Sequence, residues 1–304
     1  MKQVSVIIPT FNRALKVARA VSSVIKQTYK DFEITVVDDG STDNTSQCLA
    51  PFMGQIRYIS HPNNKGVSAA RNTGIRASRS PLIAFLDSDD YWLPEKLGLQ
   101  ADYMKNNPHV QVCQTDEIWI RKGFRVNPRK KHKKPSGNIF EPSLKLCLIS
   151  PSAVMMRSSL FEEVGLFDED FPVCEDYDLW LRISCNHEIH LIAKKLVVKE
   201  GGCHDQLSLS LKGIDRFRIK AMIKLLKSGK LSNVQTRSLL KELGVKCRIY
   251  GKGCLKRGKG EEGKYYLGLP EAMEKEFSNC QDCYGHKNCD MLIGHVFFGD
   301  NFSD

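Results

Sequence analysis

Three carboxylates, Asp87, Asp89 and Asp90, follow directly on the apolar run Leu82–Leu86, and the first two flank Ser88. The run reads as a buried strand, so the acidic pair is delivered at a strand's C-terminal end. Oxygen ligands of this kind suit a hard divalent cation, Mg²⁺ or Mn²⁺, whose shell is commonly completed by substrate phosphates. The same residues also suit an acidic turn capping a helix that starts near Pro94. A second pair, Asp38-Asp39, ends the run Phe32–Val37 and enters Gly40-Ser41-Thr42-Asp43, which by itself suffices for a turn. Glu175-Asp176 opens an amphipathic stretch with Leu179, Trp180 and Ile183. Carboxylates there either cap a helix or do acid–base work. His204 follows Gly201-Gly202-Cys203, and a lone His is most often a satisfied polar residue.

These groups need elements to position them. Val4–Pro9 is a β-branched run ended by Pro, and Ala14–Gln27 carries apolar residues at helical spacing. Phe32–Val37 is a second strand, Thr45–Phe52 a helix, Ile56–Ile59 a short strand, and Val67–Ser78 a helix led by Gly66. With Leu82–Leu86 the order is β-α-β-α-β-α-β, which predicts a mostly parallel sheet with helices on both faces. Ligands bind beyond the carboxyl ends of such strands. Three strand exits carry polar residues there: Thr10 and Asn12, Asp38 and Asp39, Asp87 and Asp89. Beyond Trp92 the pattern loosens. It yields a helix to Asn106, a strand Val110–Ile120, the basic run Arg129–Lys134, a loop-to-strand passage Ile149–Met156 and a strand Ile189–Val198. From about Leu207 the chain reads as helical and basic through Lys246. From Gly251 it reads as Gly- and Lys-rich, then Cys-rich.

The chain has 304 residues, 41% hydrophobic and 26% charged, as in an ordinary globular protein. No apolar run reaches the roughly 18 residues of a membrane span, and the first is too short for a signal peptide. A cytoplasmic location follows as the expectation. The eleven cysteines are then mostly reduced. The net charge of +10 favours anionic partners. The basic run Arg129–Lys134 is either a solvated segment or a contact for phosphate, an anionic acceptor or inner-leaflet lipid. Nucleic acid is disfavoured, because no aromatic residues interleave with its charges. Cys280, Cys283, His286 and Cys289 offer four Zn²⁺ ligands, at a spacing too tight for easy tetrahedral closure. No G-x-G-x-x-G or P-loop follows the first strand. A dehalogenase-like, receiver or nucleotidyltransferase reading fits the acidic motifs less well.

Four stretches together, Val4–Arg13, Val36–Thr45, Gly66–Gly74 and Phe85–Trp92, resemble the signature of family 2 glycosyltransferases. The likeness is dense from residue 4 to about 100 and sparser to about 210. It implies the GT-A fold: an α/β architecture with a Rossmann-like, mostly parallel central sheet, here followed by a helical basic C-terminal extension. The implied division is 1–115 for the nucleotide sugar, 116–210 for acceptor and catalysis, and 211–304 for the extension. The implied activity is metal-dependent, inverting transfer of a sugar from a nucleoside-diphosphate donor, most often a UDP-sugar, to a saccharide or lipid-linked acceptor.

By the same resemblance, Thr10 and Asp39 hold the base, and Arg71 and Asn72 lie beside the nucleotide. Asn72 is also suited simply to fix backbone. Asn12 joins this donor-binding set. Asp89 ligates Mn²⁺ or Mg²⁺, Asp87 reaches ribose or metal-bound water, and His204 ligates the metal or contacts the diphosphate. In this cation-site reading Asp90 is the turn residue. Asp176 is the general base that deprotonates the acceptor, with Glu175 orienting or capping. Pro151-Ser152 lies at the acceptor-side loop, without the family's Gly. The competing reading is a non-catalytic nucleotide-sugar-binding homologue, or a scaffold at a membrane surface.

Overall fold

A computed structural model describes residues 1–127, 129–202 and 213–279. The chain falls into two compact units, Met1–Lys230 and Leu231–Asp304.

The first unit is built on strand β1 (Val4–Thr10), all seven residues of which are buried. A largely apolar strand buried at every position belongs in a sheet covered on both sides. Val4, Val6 and Ile8 enter one core with Leu82, Ala84 and Leu86, while Ile7 enters the other with Ile83 and Phe85. Helix α1 (Ala14–Ile25) covers the first face with Val17, Ala20, Val21 and Val24, a single stripe at 3.6-residue spacing. Strands β2 (Phe32–Asp38), β3 (Arg57–Ser60) and β4 (Leu82–Phe85) run parallel to β1, in the order β3-β2-β1-β4. Between them lie α2 (Thr45–Leu49) and α3 (Val67–Ala77). The parallel half expected from the strand–helix alternation is therefore present.

Register brings the strand exits together. Thr10 pairs with Asp38, and the Asp39 N–H donates to the Thr10 carbonyl at 2.8 Å. On the other side, the Leu86 N–H donates to the Ile7 carbonyl at 3.0 Å. Helix α3 lies hard against β1, because Gly74 leaves room that Ile7 fills: a Cβ there would overlap the Ile7 side chain.

The sheet continues β4-β8-β6-β9-β5. Strand β8 (Val154–Arg157) runs antiparallel between β4 and β6 (Val112–Arg121), and β9 (Ile189–Gly201) is parallel to β6. Strand β7 (Phe124–Val126) hairpins back on β6, and β5 (Tyr91–Trp92) pairs antiparallel with the far edge of β9. Only residues 86–90 link β4 to β5, although three strands separate them in the sheet. A flat sheet would place them roughly 19 Å apart at the usual strand spacing. A linker that also contains a turn reaches that far only if the sheet curls. The curl folds the second half of the unit over the exits of the first.

Helices α4 (Lys96–Asn106), α5 (Phe140–Lys145), α6 (Leu160–Val164), α7 (Glu175–Ser184) and α8 (Asp215–Lys227) complete the unit. The basic run is not a solvated loop throughout. Lys134 is buried and its ammonium lies 3.3 Å from Glu117, because Gln114 and Glu117 on β6 supply oxygen partners for it.

The second unit contains α9 (Asn233–Lys256) and α10 (Gly260–Asn279). A capping box of Ser232 and Gln235 starts α9. The Gly- and Lys-rich stretch from Gly251 is helical over residues 251–256 and 260–279, in keeping with the expected helical extension. Gly251 and Gly263 are helix-contact residues: a Cβ at Gly251 would lie 2.9 Å from the Gly263 carbonyl, and one at Gly263 would lie 3.0 Å from the Gly251 carbonyl. Around this close approach Tyr250 and Tyr266 meet edge-on, and the Tyr250 hydroxyl donates to Glu262 at 2.7 Å. Cys247 and Cys254 are buried free thiols. The possible Zn²⁺ ligands Cys280, Cys283, His286 and Cys289 lie outside the described residues, as does His204.

Candidate active site

Strand β4 ends at the acidic loop, and Ser152 fixes that loop. Ser152 stands in the turn Pro151–Ala153 that leads into β8, the neighbour of β4. Its hydroxyl donates to Asp90 Oδ2 at 2.7 Å and accepts the Asp87 N–H at 3.1 Å; its carbonyl accepts the Trp92 indole N–H at 2.8 Å. The loop closes as a turn through the Asp90 N–H to the Asp87 carbonyl, 2.9 Å. Asp90 does close a turn, as expected, but it is no solvent-facing residue. Its side chain is buried, and burial lifts its carboxyl well above the usual range; Lys199 opposes this while Asp87 and Asp89 add to it.

Asp89 and Asp87 have cationic partners. Asp89 Oδ2 lies 2.6 Å from Arg13 Nη1, and the Asp89 carbonyl accepts from Arg19 at 2.9 Å. Asp87 accepts from Arg71 Nη2 at 2.8 Å, and the other arm of the same guanidinium donates to Glu175 at 2.7 Å. Burial works against the Asp87 charge, but Arg71 and then Lys199 outweigh it and hold the carboxyl below its ordinary value. Glu175 goes the other way. Burial, with Asp176 adding to it, pushes it up to about 7 against the pull of Arg71.

Glu175 and Asp176 form the first turn of α7. The preceding Cys174 has φ 64°, a left-handed conformation uncommon outside Gly and Asn, and it supplies no capping hydrogen bond. Asp176 Oδ1 accepts its neighbour Tyr177 N–H at 2.7 Å, so one oxygen does local helix work. Its Oδ2 lies 3.4 Å from the Cys147 thiol, which burial and then Asp176 raise well above the ordinary thiol value.

Asp38 and Asp39 divide the loop after β2. Asp38 accepts the Ser41 N–H at 2.9 Å and the Tyr58 hydroxyl at 2.6 Å, which fixes the turn. Asp39 accepts the N–H groups of Lys65 and Gly66 at 3.0 and 2.8 Å, with His61 Nδ1 2.7 Å from Oδ1. It thereby ties the start of α3 to β2. Asn12, at φ 50°, accepts the Thr42 N–H at 2.8 Å and pins the same loop. Thr10 Oγ1 is buried without a hydrogen-bond partner.

Thr10, Asn12, Asp39, Arg71, Asp87, Asp89 and Asp176 all line one cleft of about 880 Å³. Asn72 lies outside it. Its amide donates to the Phe167 carbonyl and Glu169, both at 2.8 Å, and accepts the Phe167 N–H at 3.0 Å, stapling α3 to the second half. Several cleft residues were not singled out from sequence. Lys199 projects from β9, donates to Ser150 at 3.0 Å, and is held charged against burial by Glu117, Asp90 and Asp87. Glu117 is aimed by a bulge where the β6–β9 register shifts at Thr115–Glu117. Burial opposes its charge, but Lys134 and Lys199 hold it down at about 2. Arg13 stood at the end of a recognised motif, and that adjacency was the available signal. The bulge has none.

Residues 5–165 match the sequence pattern of Glycosyl transferase family 2, more than half of the chain. The chain belongs to that family. Among its relatives is an uncharacterized glycosyltransferase of Rickettsia felis, 36% identical over 202 residues, 64% of this chain and 32% of the relative. The chain spans about a third of the length of three such Rickettsia proteins. The Escherichia coli UDP-Glc:alpha-D-GlcNAc-diphosphoundecaprenol beta-1,3-glucosyltransferase WfgD is 34% identical over 190 residues, 62% of this chain and 72% of the enzyme. In fold, the family 2 chain is similar to S. aureus TarS 1–349 in complex with UDP-GlcNAc, with TM-score 0.64 at 18% identity over 91% of this chain and 92% of that one. It is also similar to mannosyltransferase PcManGT of Pyrobaculum calidifontis in complex with GDP-Man and Mn²⁺. There the TM-score is 0.56 at 15% identity, over 91% and 87% of the two chains. The α/β GT-A architecture expected from the motifs is thus the fold observed.

Proposed function

We propose that the protein transfers a sugar, with inversion, from a nucleoside-diphosphate donor to an acceptor hydroxyl in cell-surface polysaccharide or glycolipid synthesis. The observation that carries this reading is the single cleft shared by the strand-exit carboxylates Asp87 and Asp89 and the helix-start carboxylate Asp176. Residues 1–115 are assigned to the donor, 116–210 to the acceptor and 211–304 to an extension. A cytoplasmic protein, peripheral at the inner face of the membrane, fits this role. Among the described residues no helix is long and apolar enough to cross a membrane.

In this scheme Asp176 takes the acceptor proton. One of its oxygens is occupied by the Tyr177 N–H, which leaves Oδ2, beside Cys147, for the base role. Direct in-line attack then needs no covalent intermediate. The departing nucleoside diphosphate gains negative charge, and Arg13 and Lys199 stand in the same cleft to meet it. Thr10 and Asp39 hold the base. Asp39 already accepts at both oxygens, so its contact to a base N–H uses remaining lone-pair capacity. Arg71 acts indirectly, by holding Asp87 and Glu175 in place.

The donor chemistry here fits a hard divalent cation, since Asp87 and Asp89 offer carboxylate oxygens and phosphates complete such shells. Asp89 is the proposed ligand of Mn²⁺ or Mg²⁺, Asp87 faces ribose or metal-bound water, and His204 is proposed to join them. Such an ion stabilises charge that develops as the glycosidic bond breaks. Asp89 is ion-paired with Arg13, so the cation and the guanidinium must share or exchange that carboxylate.

WfgD is named for a UDP-glucose donor and a lipid-diphosphate acceptor, TarS was seen with UDP-GlcNAc, and PcManGT with GDP-Man and Mn²⁺. These favour a UDP-sugar and a saccharide or lipid-linked acceptor, and they make the base the question to test. Thermal shift and donor hydrolysis measured for UDP-, GDP- and dTDP-sugars, with and without Mn²⁺, decide it. The expected outcome is a metal-dependent shift largest for a UDP-sugar. No response to any donor would overturn the enzyme reading.

A further inference from the structure

Helix α9 carries an exposed stripe that donor binding and transfer do not use. After its first residue, its exposed positions include five cations: Arg237, Lys241, Arg248, Lys252 and Lys256. The other exposed positions are apolar: Val234, Ile249 and Leu255, which are 66%, 60% and 43% exposed. At 3.6 residues per turn all eight fall within an arc of roughly 120°, running about 33 Å along the helix. The only acid in α9 is Glu242, which is half-buried and engaged by Lys246 at 3.5 Å. The opposite face is occupied by Leu239, Leu243, Cys247, Tyr250 and Cys254, all buried.

A long stripe of one charge sign with large apolar side chains set among the cations has few chemical partners. Solvated surface helices mix charges of both signs and keep large apolar residues inside. A nucleic acid would match the cations but gives Ile249 and Leu255 nothing to enter, and no aromatic residue stands on the stripe to stack with bases. An anionic bilayer matches both parts. Val234, Ile249 and Leu255 can enter the boundary between headgroups and acyl chains, while the aliphatic stems of Lys and Arg lie along it and their charges reach lipid phosphates.

We propose that this face of α9 docks the protein on an anionic phospholipid surface, lying in the interface and not crossing it. The inference rests on α9 alone and stands or falls separately from the transferase reading. Its binding is electrostatic in reach and apolar in hold, so salt weakens it and loss of Ile249 weakens it at every salt concentration.

Co-sedimentation of the full-length protein with vesicles tests this, comparing phosphatidylcholine with and without phosphatidylglycerol across a salt series. Wild type should pellet with the anionic vesicles and leave the neutral ones. The variant K241Q/R248Q/K252Q should bind them on the order of a hundredfold more weakly, given the usual contribution of each cation near a charged membrane. Ile249→Ser should bind more weakly with an unchanged salt slope. All substituted positions are exposed, so unfolding curves matching wild type are expected and exclude a folding defect. The proposal is overturned if wild type ignores anionic vesicles, or if the triple variant binds as wild type does. It is also overturned if only neutralising Arg129, Lys130 and Lys131 abolishes binding, or if the stripe drives self-association or nucleic-acid binding instead.

Discussion

Arg71 divides one positive charge between two carboxylates, the partly exposed Asp87 at 2.8 Å and the buried Glu175 at 2.7 Å. The charge of this cluster is therefore decided by Glu175, which ionises at about 7 in the fold against 4.5 for an unperturbed glutamate. Between those values the folded protein holds a proton that the unfolded chain has released. Glu175 thus contributes stability that is fully present below 4.5 and lost as pH rises to about 7. Melting temperatures of wild type and Glu175→Gln across this window should show wild type losing ground to the variant as pH rises. A constant difference would show that Arg71 keeps Glu175 ionised throughout. Arg71→Met strands both acids and should cost about 3–5 kcal/mol in urea unfolding. Arg71→Lys should recover only part, because an ammonium lacks the two-armed geometry that spans Asp87 and Glu175. Unchanged stability in the Met variant would mean that the two carboxyls are not held by this side chain.

At the scale of elements, what places Arg71 is the seat of α3 on β1, and Gly74 makes that seat possible. Gly74→Ala forces the added methyl into Ile7, in the middle of a fully buried strand. Overpacking of this kind costs about 1–3 kcal/mol, whereas Ala gains at most about 1 kcal/mol over Gly in a helix. The variant should melt lower and give a smaller donor-induced shift; a higher melting temperature would show that α3 moves aside freely.

The parallel half was legible in the sequence because β1, β2 and β4 are short, mostly apolar and β-branched runs, and α1 carries one clear stripe. Beyond Trp92 the signal fails for physical reasons. Strand β5 is two residues long and β7 three, too short for any period. Glu117 reaches the cleft through a bulge, and a one-residue shift of face leaves no mark in composition. Lys134 sat in a run of cations that reads as solvated, and only the fold supplies Glu117 as its partner. The extension reads as helical, but nothing in its composition marks Gly251 and Gly263 as the contact between two helices. Asn72 neighbours Arg71 in one motif, and a motif alone does not separate nucleotide contact from fixing backbone; here the Asn72 amide joins α3 to the second half.

At the scale of the molecule, the curl of the sheet makes a site from parts that are remote in sequence. Residues 86–90 cross from β4 to β5, and with that crossing the end of β4 and the start of α7 come to face one cleft. Each half alone presents an acidic turn or a helix cap. Together they supply, in the proposed scheme, a place for a diphosphate and a base for its acceptor. Asp176→Asn separates those two roles, since the amide can fill the same space and still accept the Tyr177 N–H. The most direct measurement sets this variant beside wild type, reading nucleotide-induced thermal shift and sugar-transfer turnover on the donor that the panel selects. An intact shift is expected, with turnover lowered by roughly 10²–10⁴-fold, the usual worth of a positioned base. Full turnover in Asp176→Asn would contradict the base role.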